Sequence, residues 1–212
     1  MNNSLQKIYE DHHKERRGDS FVLLESERAK FLQENIGSEK KILDIGCRDG
    51  ALTKHFNEGN NVTGYDIDMN ALQRAHDSLG IEIEQIDLNN DWHTDIKNTF
   101  DVVVAGEVLE HVYYPNEVIR KSAAALKEGG IFIGSVPNAF SLKNRLRILS
   151  GTKKHTPLSD PTHINHFHTD ELKAILEKEF SSVKMSGLGT YKKLIKLHHG
   201  FFAYDIVFVC KK

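Results

Sequence analysis

The sequence predicts an α/β fold in which helices doubly wind a seven-stranded, mostly parallel sheet with an antiparallel last strand. Seven short apolar segments alternate with segments of helical periodicity, which is typical of such a sheet. A glycine turn after the first apolar segment leads into a helical pattern, as in units that bind nucleotide-like ligands. The length of 212 residues suits one sizeable core, so we expect a single domain over residues 1–212.

Composition and charge exclude several classes of protein. The formal net charge of −2 gives no overall field that would gather nucleic acid or acidic membranes, so any contact with a polyanion must be local. The two cysteines, Cys47 and Cys210, lie far apart in sequence and suggest reduced thiols. The N-terminus lacks an apolar core of signal-peptide length, and no apolar run reaches about 18 residues. We therefore expect a soluble, cytoplasmic protein.

The chain begins with a polar arm and a helix, together residues 1–36. Leu24, Arg28 and Phe31 lie near one face of the helix predicted over residues 21–35, and Gly37 ends it. Seven strands are predicted after this helix, at residues 41–45, 62–65, 81–86, 100–105, 130–136, 183–188 and 201–210.

Further helices are predicted between these strands, at residues 51–57, 70–79, 115–126 and 169–180. The last of them begins with Thr169 as N-cap and has Asp170 and Glu171 in its first turn. Residues 187–200 show no clear crossover helix, so we expect the final strand to enter the sheet antiparallel.

Carboxylates and glycines follow the first two predicted strands. Asp44 lies two residues before Gly46, and Gly50 closes the turn. Asp66 ends the second strand, where a carboxylate can accept hydrogen bonds from both ribose hydroxyls. A dinucleotide site would need three glycines facing a pyrophosphate. Here the carboxylates repel phosphate and suit a cationic nucleoside that carries ammonium and sulfonium groups.

Four ordered motifs, LDIGCRDG, YDID, FDVVVAGEVLEHV and LKEGGIFIGSVPN, resemble those of the class I S-adenosylmethionine-dependent methyltransferases over residues 40–137. The resemblance implies a Rossmann-like sheet and S-adenosyl-L-methionine as cofactor. The cofactor-binding residues that it implies are Asp44, Gly46 and Gly50 at the methionine end, Asp66 at the ribose, Asp87 and Leu88 at the adenine edge, Glu107 on the other side, and the neighbours Cys47 and Ile67.

Residues 138–168 interrupt the alternation and are interpreted as a lid insertion. Their segments PNAFSLKNRLRILSG and HINHFHTDEL resemble methyltransferases grouped with methionine- and ubiquinone-biosynthesis enzymes. Leu142, Leu146 and Leu149 form one stripe of a predicted helix, which is most often a core helix with a solvated face. The alternatives are a membrane-surface helix that reaches a lipid-linked acceptor, and a cradle for a phosphorylated substrate.

The segment GEVLEHV after the fourth strand places Glu107, Glu110 and His111 at spacing i, i+3, i+4. In a helical turn these side chains would share one face and could converge on a divalent metal. Small-RNA 2′-O-methyltransferases of the family use this triplet with a lid histidine, a role that His163, His166 or His168 could fill here. In other relatives the triplet needs no metal and only contacts the cofactor or packs. The candidate metal ligands are Glu107, Glu110, His111 and His166.

Two histidines are the candidate catalytic residues. Methyl transfer requires an acceptor aligned with the sulfonium and shielded from water, and an oxygen acceptor must also lose a proton. A neutral histidine suits that role near pH 7, and we predict His111 and His166 as general bases. Oxygen is favoured over nitrogen because the chain reads AGEV after the fourth strand, where amide- and amine-methylating relatives have Asn or Asp followed by Pro-Pro and an aromatic residue.

We therefore expect O-methylation of a small-molecule or glycan-type acceptor. One alternative is a metal-dependent O-methyltransferase that acts on RNA or a lipid precursor, with peripheral membrane contact through the lid. Nucleic acid is disfavoured by the net charge. Another alternative is a catalytically silent binding module that supports a partner enzyme. An NAD-dependent oxidoreductase would need the dinucleotide glycines and a Tyr-x-x-x-Lys pair, which does not follow the fourth strand. The sequence gives no indication of oligomeric state.

Overall fold

The computed structural model describes residues 22–212, so the predicted N-terminal arm and Phe21 lie outside the described residues. The strands are β1 (Lys41–Ile45), β2 (Asn61–Asp66), β3 (Glu82–Gln85), β4 (Phe100–Gly106), β5 (Leu126–Pro137), β6 (Ser182–Leu188) and β7 (Asp205–Lys211). The helices are α1 (Glu25–Ile36), α2 (Lys54–Asn57), α3 (Met69–Leu79), α4 (Pro115–Ala125), α5 (Leu142–Leu149), α6 (Thr169–Leu176), α7 (Lys192–Leu197) and α8 (His199–Phe202), with short 3₁₀ helices at Thr94–Ile96 and Pro157–Ser159.

Within this described part of the chain, the strands form one sheet of order β3-β2-β1-β4-β5-β7-β6. Strands β1 to β5 pair in parallel, and β7 runs antiparallel to both β5 and β6. The predicted Rossmann-like, seven-stranded sheet with an antiparallel last strand is confirmed. Because the chain passes from β3 at one edge to β4 beside β1, the strand order reverses there. The carboxyl ends of β1 and β4 therefore border a crevice of the kind that binds ligands in such sheets.

The core lies on both faces of the sheet because helices cover both faces. Successive residues of β1 point to opposite faces. Leu43 joins a buried cluster that includes Phe132, whereas Ile42 joins a cluster on the other face with Leu32 of α1 and Phe56 of α2. The near-continuous apolar run of β1 is explained by this double burial.

Helix α6 begins one residue away from the predicted cap. The N-cap is His168, whose Nδ1 accepts a hydrogen bond from the backbone N–H of Asp170 at 3.3 Å. Thr169 is therefore the first helical residue, and its prediction as N-cap is wrong. Asp170 and Glu171 lie in the first turn as predicted, where negative charge is favourable.

The C-terminal part departs further from the prediction. Residues 187–200, where no helix was predicted, contain helix α7. Most of its residues are exposed, and its buried residue is Ile195. Phe201 belongs to helix α8 and not to the last strand, which begins at Asp205. A short lysine-rich helix with one buried side chain leaves little apolar periodicity, which explains why the pattern failed here.

Helix α5 forms over the predicted leucine stripe, but the stripe does not face the core. Leu142, Leu146 and Leu149 are exposed, and the buried residue of the helix is Asn144. The expectation of a core helix is therefore wrong. None of the helices in the described residues has the length and apolarity needed to cross a membrane.

Candidate cofactor and active site

A pocket opens at the carboxyl ends of β1, β2 and β4. Most of the predicted cofactor residues line it, namely Gly46, Cys47, Asp66, Ile67, Asp87, Leu88 and Glu107. Asp44 is buried and is not part of the lining, and Gly50 closes the turn behind it. Leu23 and Arg28, from the first described part of the chain, complete one wall. The predicted residues thus converge on one pocket, and their role as cofactor ligands stays a prediction.

The turn after β1 requires its two glycines. Gly46 and Gly50 have φ values of +72° and +76°, in the left-handed region that side chains disfavour. A Cβ atom would lie 2.5 Å from Val108 Cγ2 at the first position and 2.6 Å from Leu79 Cδ1 at the second. The backbone can therefore pass close to the pocket only without side chains at these two positions.

The fold disfavours the charged forms of the Asp44 and Asp66 side chains. Burial raises the pKa of Asp44 to about 7, although Thr53 Oγ1 donates a hydrogen bond to it at 2.7 Å. Burial also raises the pKa of Asp66 to about 6, against hydrogen bonds from the backbone N–H groups of Asp68 and Arg48 at 2.9 Å each. A cation in the pocket would favour the charged form of both carboxylates.

Glu107 is held by a buried arginine that the sequence analysis did not assign to the site. Arg28 Nη2 lies 2.9 Å from Glu107 Oε2 and 2.6 Å from Asp205 Oδ2. Burial lowers the pKa of Arg28, but the two carboxylates outweigh that effect and raise it. Ser135 Oγ donates to Glu107 Oε1 at 3.0 Å. The sequence pattern that could have indicated this role is the position of Arg28 on the apolar face of the helix predicted over residues 21–35.

Glu110, His111 and His163 form a cluster beside the pocket, and His111 also lines it. The segment that contains Glu110 and His111 is a turn and not a helix, and Glu107 has a left-handed backbone with φ +60°. Glu107 therefore points to Arg28, and the shared face that the i, i+3, i+4 spacing predicted is wrong. Among the described residues, the potential ligand atoms of the three cluster residues lie within 4.8 Å of one another.

His166 occupies a different environment from the one predicted. Burial lowers its pKa, and its ring donates to the carbonyl of Pro157. It belongs neither to the pocket lining nor to the cluster found among residues 22–212. The lid histidine that stands beside Glu110 and His111 is His163, which corrects the predicted ligand set.

The hydrogen bonds of His111 fix which of its nitrogens faces the cluster. Nδ1 lies 3.0 Å from the carbonyl oxygen of Thr162, and a carbonyl can only accept, so Nδ1 carries a proton. In the neutral ring Nε2 is then an acceptor, and it lies 3.8 Å from Glu110 Oε1.

Residues 162–165 of the lid bind the turn that follows β4, which contains Glu110 and His111. The backbone N–H groups of Ile164 and Asn165 donate to the carbonyl of Glu110 at 2.9 and 3.0 Å. The Asn165 side chain donates to the carbonyls of Val112 and Leu109 at 2.6 and 3.2 Å. The lid thus positions His163 through backbone contacts that no sequence pattern encodes.

The family model described as a methyltransferase domain matches residues 14–179 of the chain. The chain belongs to the class I S-adenosylmethionine-dependent methyltransferases. The predicted family is therefore confirmed, and S-adenosylmethionine is the cofactor that this family implies.

Curated relatives of this methyltransferase are named ubiquinone biosynthesis O-methyltransferase. The protein of Shewanella pealeana is 31% identical over 155 residues, which cover 68% of this chain and 65% of the relative. The protein of Erwinia tasmaniensis is 38% identical over 96 residues, which cover 43% of this chain and 40% of the relative. The chain therefore spans between two fifths and two thirds of the length of these relatives.

Solved structures share the fold of this methyltransferase. A SAM-dependent methyltransferase from Archaeoglobus fulgidus matches with a TM-score of 0.70 at 20% identity and covers 97% of this chain and 99% of that chain. A protein from Pyrococcus horikoshii matches with a TM-score of 0.69 at 17% identity over 95% and 98% of the two chains. At these identities the likeness shows the fold alone.

The donors at this methyltransferase's cluster also fit a divalent metal. Two imidazoles and one carboxylate suit zinc, iron or manganese better than magnesium, which prefers oxygen ligands. The hydrogen bond from His111 Nδ1 to a carbonyl is the outer contact that commonly orients a metal-binding histidine. Glu110, His111 and His163 would hold such an ion.

Proposed function

We propose that the protein transfers the methyl group of S-adenosylmethionine to an oxygen atom of a small-molecule or glycan-type acceptor. The observation that carries the proposal is the pair of carboxylates, Asp66 in the pocket lining and Asp44 behind it, whose raised pKa values a cationic cofactor would lower in a pocket that His111 also lines. The names of the ubiquinone O-methyltransferase relatives support an oxygen acceptor. Membership of the family supports the cofactor.

Each residue of the pocket has a role in this proposal. Asp66 would accept hydrogen bonds from the ribose hydroxyls of the cofactor, Asp44 behind the lining would favour its positive charge, and the Gly46 turn lets the backbone approach it. His111 would accept the proton of the acceptor hydroxyl at Nε2. The resulting imidazolium would be stabilised by Glu110, whose carboxylate lies 3.8 Å away.

A turnover assay tests the proposal. Catechols, hydroxybenzoates and sugars are incubated with S-adenosylmethionine, and S-adenosylhomocysteine formation is measured. The variant His111→Gln should lower turnover at least about 100-fold with little change in cofactor affinity. His76→Gln is the matched control, because His76 Nδ1 also contacts a carbonyl, that of Ile81 at 2.8 Å, yet the ring does not line the pocket. Equal losses in both variants would exclude His111 as the base.

A metal-dependent O-methyltransferase of RNA or a lipid precursor is the second candidate, and the Glu110, His111 and His163 cluster favours it. Isothermal titration with Mn²⁺, Zn²⁺ and Mg²⁺ should detect binding that His163→Gln weakens at least about tenfold. His166→Gln is the control, since His166 lies outside the cluster. The absence of binding by all three ions would remove this candidate.

A catalytically silent binding module would not need to bind the cofactor, so equilibrium dialysis with labelled S-adenosylmethionine separates it from an enzyme. For the location we propose the cytoplasm. Cys47 and Cys210 are both buried free thiols, which fits a reducing compartment.

A further inference from the structure

Two segments outside the pocket concentrate positive charge. Residues 138–158 contain five Lys or Arg, residues 189–204 contain three, and neither segment contains Asp or Glu. The rest of the chain contains the remaining 20 of the 28 basic residues and all 30 acidic residues. The chain is therefore strongly polarised although its net charge is only −2.

The fold brings these two segments together at the carboxyl edge of the sheet. Asn138 follows β5, and its side chain donates to the carbonyls of Gly200 and Ala203 at 3.1 and 3.0 Å. The guanidinium of Arg145 in α5 lies 4.9 Å from the ring centre of Phe201 in α8. Helices α5, α7 and α8 thus form one continuous surface.

The same surface exposes most of the large apolar side chains found at the exterior. Leu149 of α5 is 81% exposed and Leu197 of α7 is 80% exposed. Eight of the thirteen exposed large apolar residues among residues 22–212 lie in the two segments, and they are Leu142, Leu146, Ile148, Leu149, Tyr191, Leu194, Leu197 and Tyr204. A patch of this kind on a folded protein marks an interaction site.

We propose that this surface, which we call the basic apolar face and define as the exposed side chains of residues 138–158 and 189–204, docks onto an anionic lipid bilayer. Its apolar side chains lie among exposed lysines such as Lys143, Lys154 and Lys193, and neither of its two segments contains an acidic residue. Leucines that enter the lipid interface and cations that contact anionic headgroups are the two requirements of such docking. A nucleic acid would use the cations but leave the leucines in water.

The basic apolar face adjoins the pocket. Tyr204 lies on it, and the next residue, Asp205, binds Arg28 of the pocket wall. An acceptor held in the bilayer would therefore meet the pocket without crossing the sheet. The docking itself goes beyond the proposed function and holds for any acceptor.

Vesicle sedimentation of the full chain tests the proposal. Vesicles of phosphatidylcholine and vesicles containing about 30% phosphatidylglycerol are compared at about 0.1 M and 1 M salt. Binding should be at least about tenfold stronger to the anionic vesicles and should weaken at high salt, because each cation near the surface contributes roughly fivefold. Equal binding to both vesicle types, or none to either at low salt, overturns the proposal.

Two double variants identify the surface. Leu149→Gln/Leu197→Gln removes one exposed leucine from each helix and should lower anionic-vesicle binding at least about tenfold with unchanged thermal unfolding. Lys154→Glu/Lys193→Glu should lower it at least as much. Lys40→Glu/Lys97→Glu makes the same change of charge at exposed positions outside the face and should leave binding within about threefold of wild type.

Three results overturn the docking site. The first is an equal effect of the two lysine variants. The second is binding to a short duplex RNA but not to vesicles. The third is a change from dimer to monomer caused by the leucine variant without any loss of vesicle binding. The failure of O-methylation would not affect these measurements, so the two proposals are tested separately.

Discussion

Asp44 is a residue whose burial opposes folding, and in the proposed function it lies behind the site of a cationic cofactor. Its pKa in the folded chain is about 7, well above the ordinary value near 3.8. Between about pH 4 and pH 7 Asp44 is ionised in the unfolded chain more than in the folded chain. The contribution of Asp44 to the free energy of unfolding therefore falls as pH rises through that range. A bound cation reverses this preference.

The variant Asp44→Asn should therefore raise the free energy of unfolding at pH 8 by roughly 1–3 kcal/mol without cofactor, because the amide carries no charge to bury. Its affinity for S-adenosylmethionine should fall at least about tenfold. Thermal unfolding and calorimetric titration measure the two effects. Asp101→Asn is the control, since hydrogen bonds from Lys127 and Lys41 lower the pKa of Asp101, and its loss should slightly lower stability. The same sign of stability change in both variants would contradict the argument.

Cofactor affinity should also depend on pH. Binding of a cation favours the charged forms of Asp44 and Asp66, whose pKa values are about 7 and about 6, so binding releases protons. The affinity for S-adenosylmethionine should rise from pH 5.5 to about pH 7.5 and then level off. S-adenosylhomocysteine lacks the sulfonium charge and should show a weaker rise. Calorimetry in buffers of different ionisation enthalpy measures the protons released, and identical pH profiles for the two ligands would exclude the charge mechanism.

Residues that work through local spacing could be predicted from the sequence. Gly46, Gly50 and Asp66 follow strand ends at fixed intervals, and the structure places them at one turn and one pocket. Arg28 could not be assigned to the site, because its partner Asp205 is 177 residues away. The choice of His163 over His166 depends on the path of the lid, which residue types alone do not determine.

At the scale of elements, helix α1 is joined to the sheet by a buried ion network. Arg28 reaches the ends of two strands through Glu107 after β4 and Asp205 at the start of β7. Each carboxylate would lose its cationic partner if the guanidinium were removed. Buried charges left without partners are costly, whereas exposed pairs contribute little.

The variant Arg28→Met should lower the free energy of unfolding by about 3–5 kcal/mol, because Glu107 and Asp205 would remain buried without their cation. Chemical denaturation measures the loss. Lys30→Met is the matched control on the same helix, since Lys30 pairs with exposed Glu34 at 3.7 Å, and it should change stability by no more than about 0.5 kcal/mol. Similar midpoints for the two variants would show that the network does not stabilise the fold.

Element prediction succeeded where one face of a segment is buried and failed where it is not. β1 has the predicted bounds because Ile42, Leu43 and Ile45 make it mostly apolar and all of its residues after Lys41 are buried. The leucine stripe of α5 correctly predicted a helix but wrongly predicted that the leucines pack in the core. Apolar periodicity indicates a helix without indicating what its apolar face contacts. Helix α7 was not predicted, because most of its residues are exposed and the segment shows little apolar periodicity.

At the scale of the whole molecule, the sheet order follows from alternation and right-handed crossovers, which place the crevice between β1 and β4. The predicted lid, residues 138–168, leaves the sheet after β5 and returns to the turn that follows β4. Asn165 makes that return contact with two side-chain hydrogen bonds. The acceptor side of the proposed site therefore depends on a connection between distant parts of the chain.

The variant Asn165→Ala should loosen the lid while the cofactor side of the pocket stays intact. The carbonyls of Leu109 and Val112 would lose their donors, which should lower the free energy of unfolding by about 1–3 kcal/mol. Because His111 lies between these carbonyls, turnover should fall at least about tenfold whereas S-adenosylmethionine affinity should change less than about twofold. Asn35→Ala is the control, since its amide also donates to a carbonyl, that of Phe31 at 2.7 Å, at an exposed site on α1. An equal loss of cofactor affinity and turnover in Asn165→Ala would show that the lid supports the cofactor pocket as a whole and does not specifically position the acceptor.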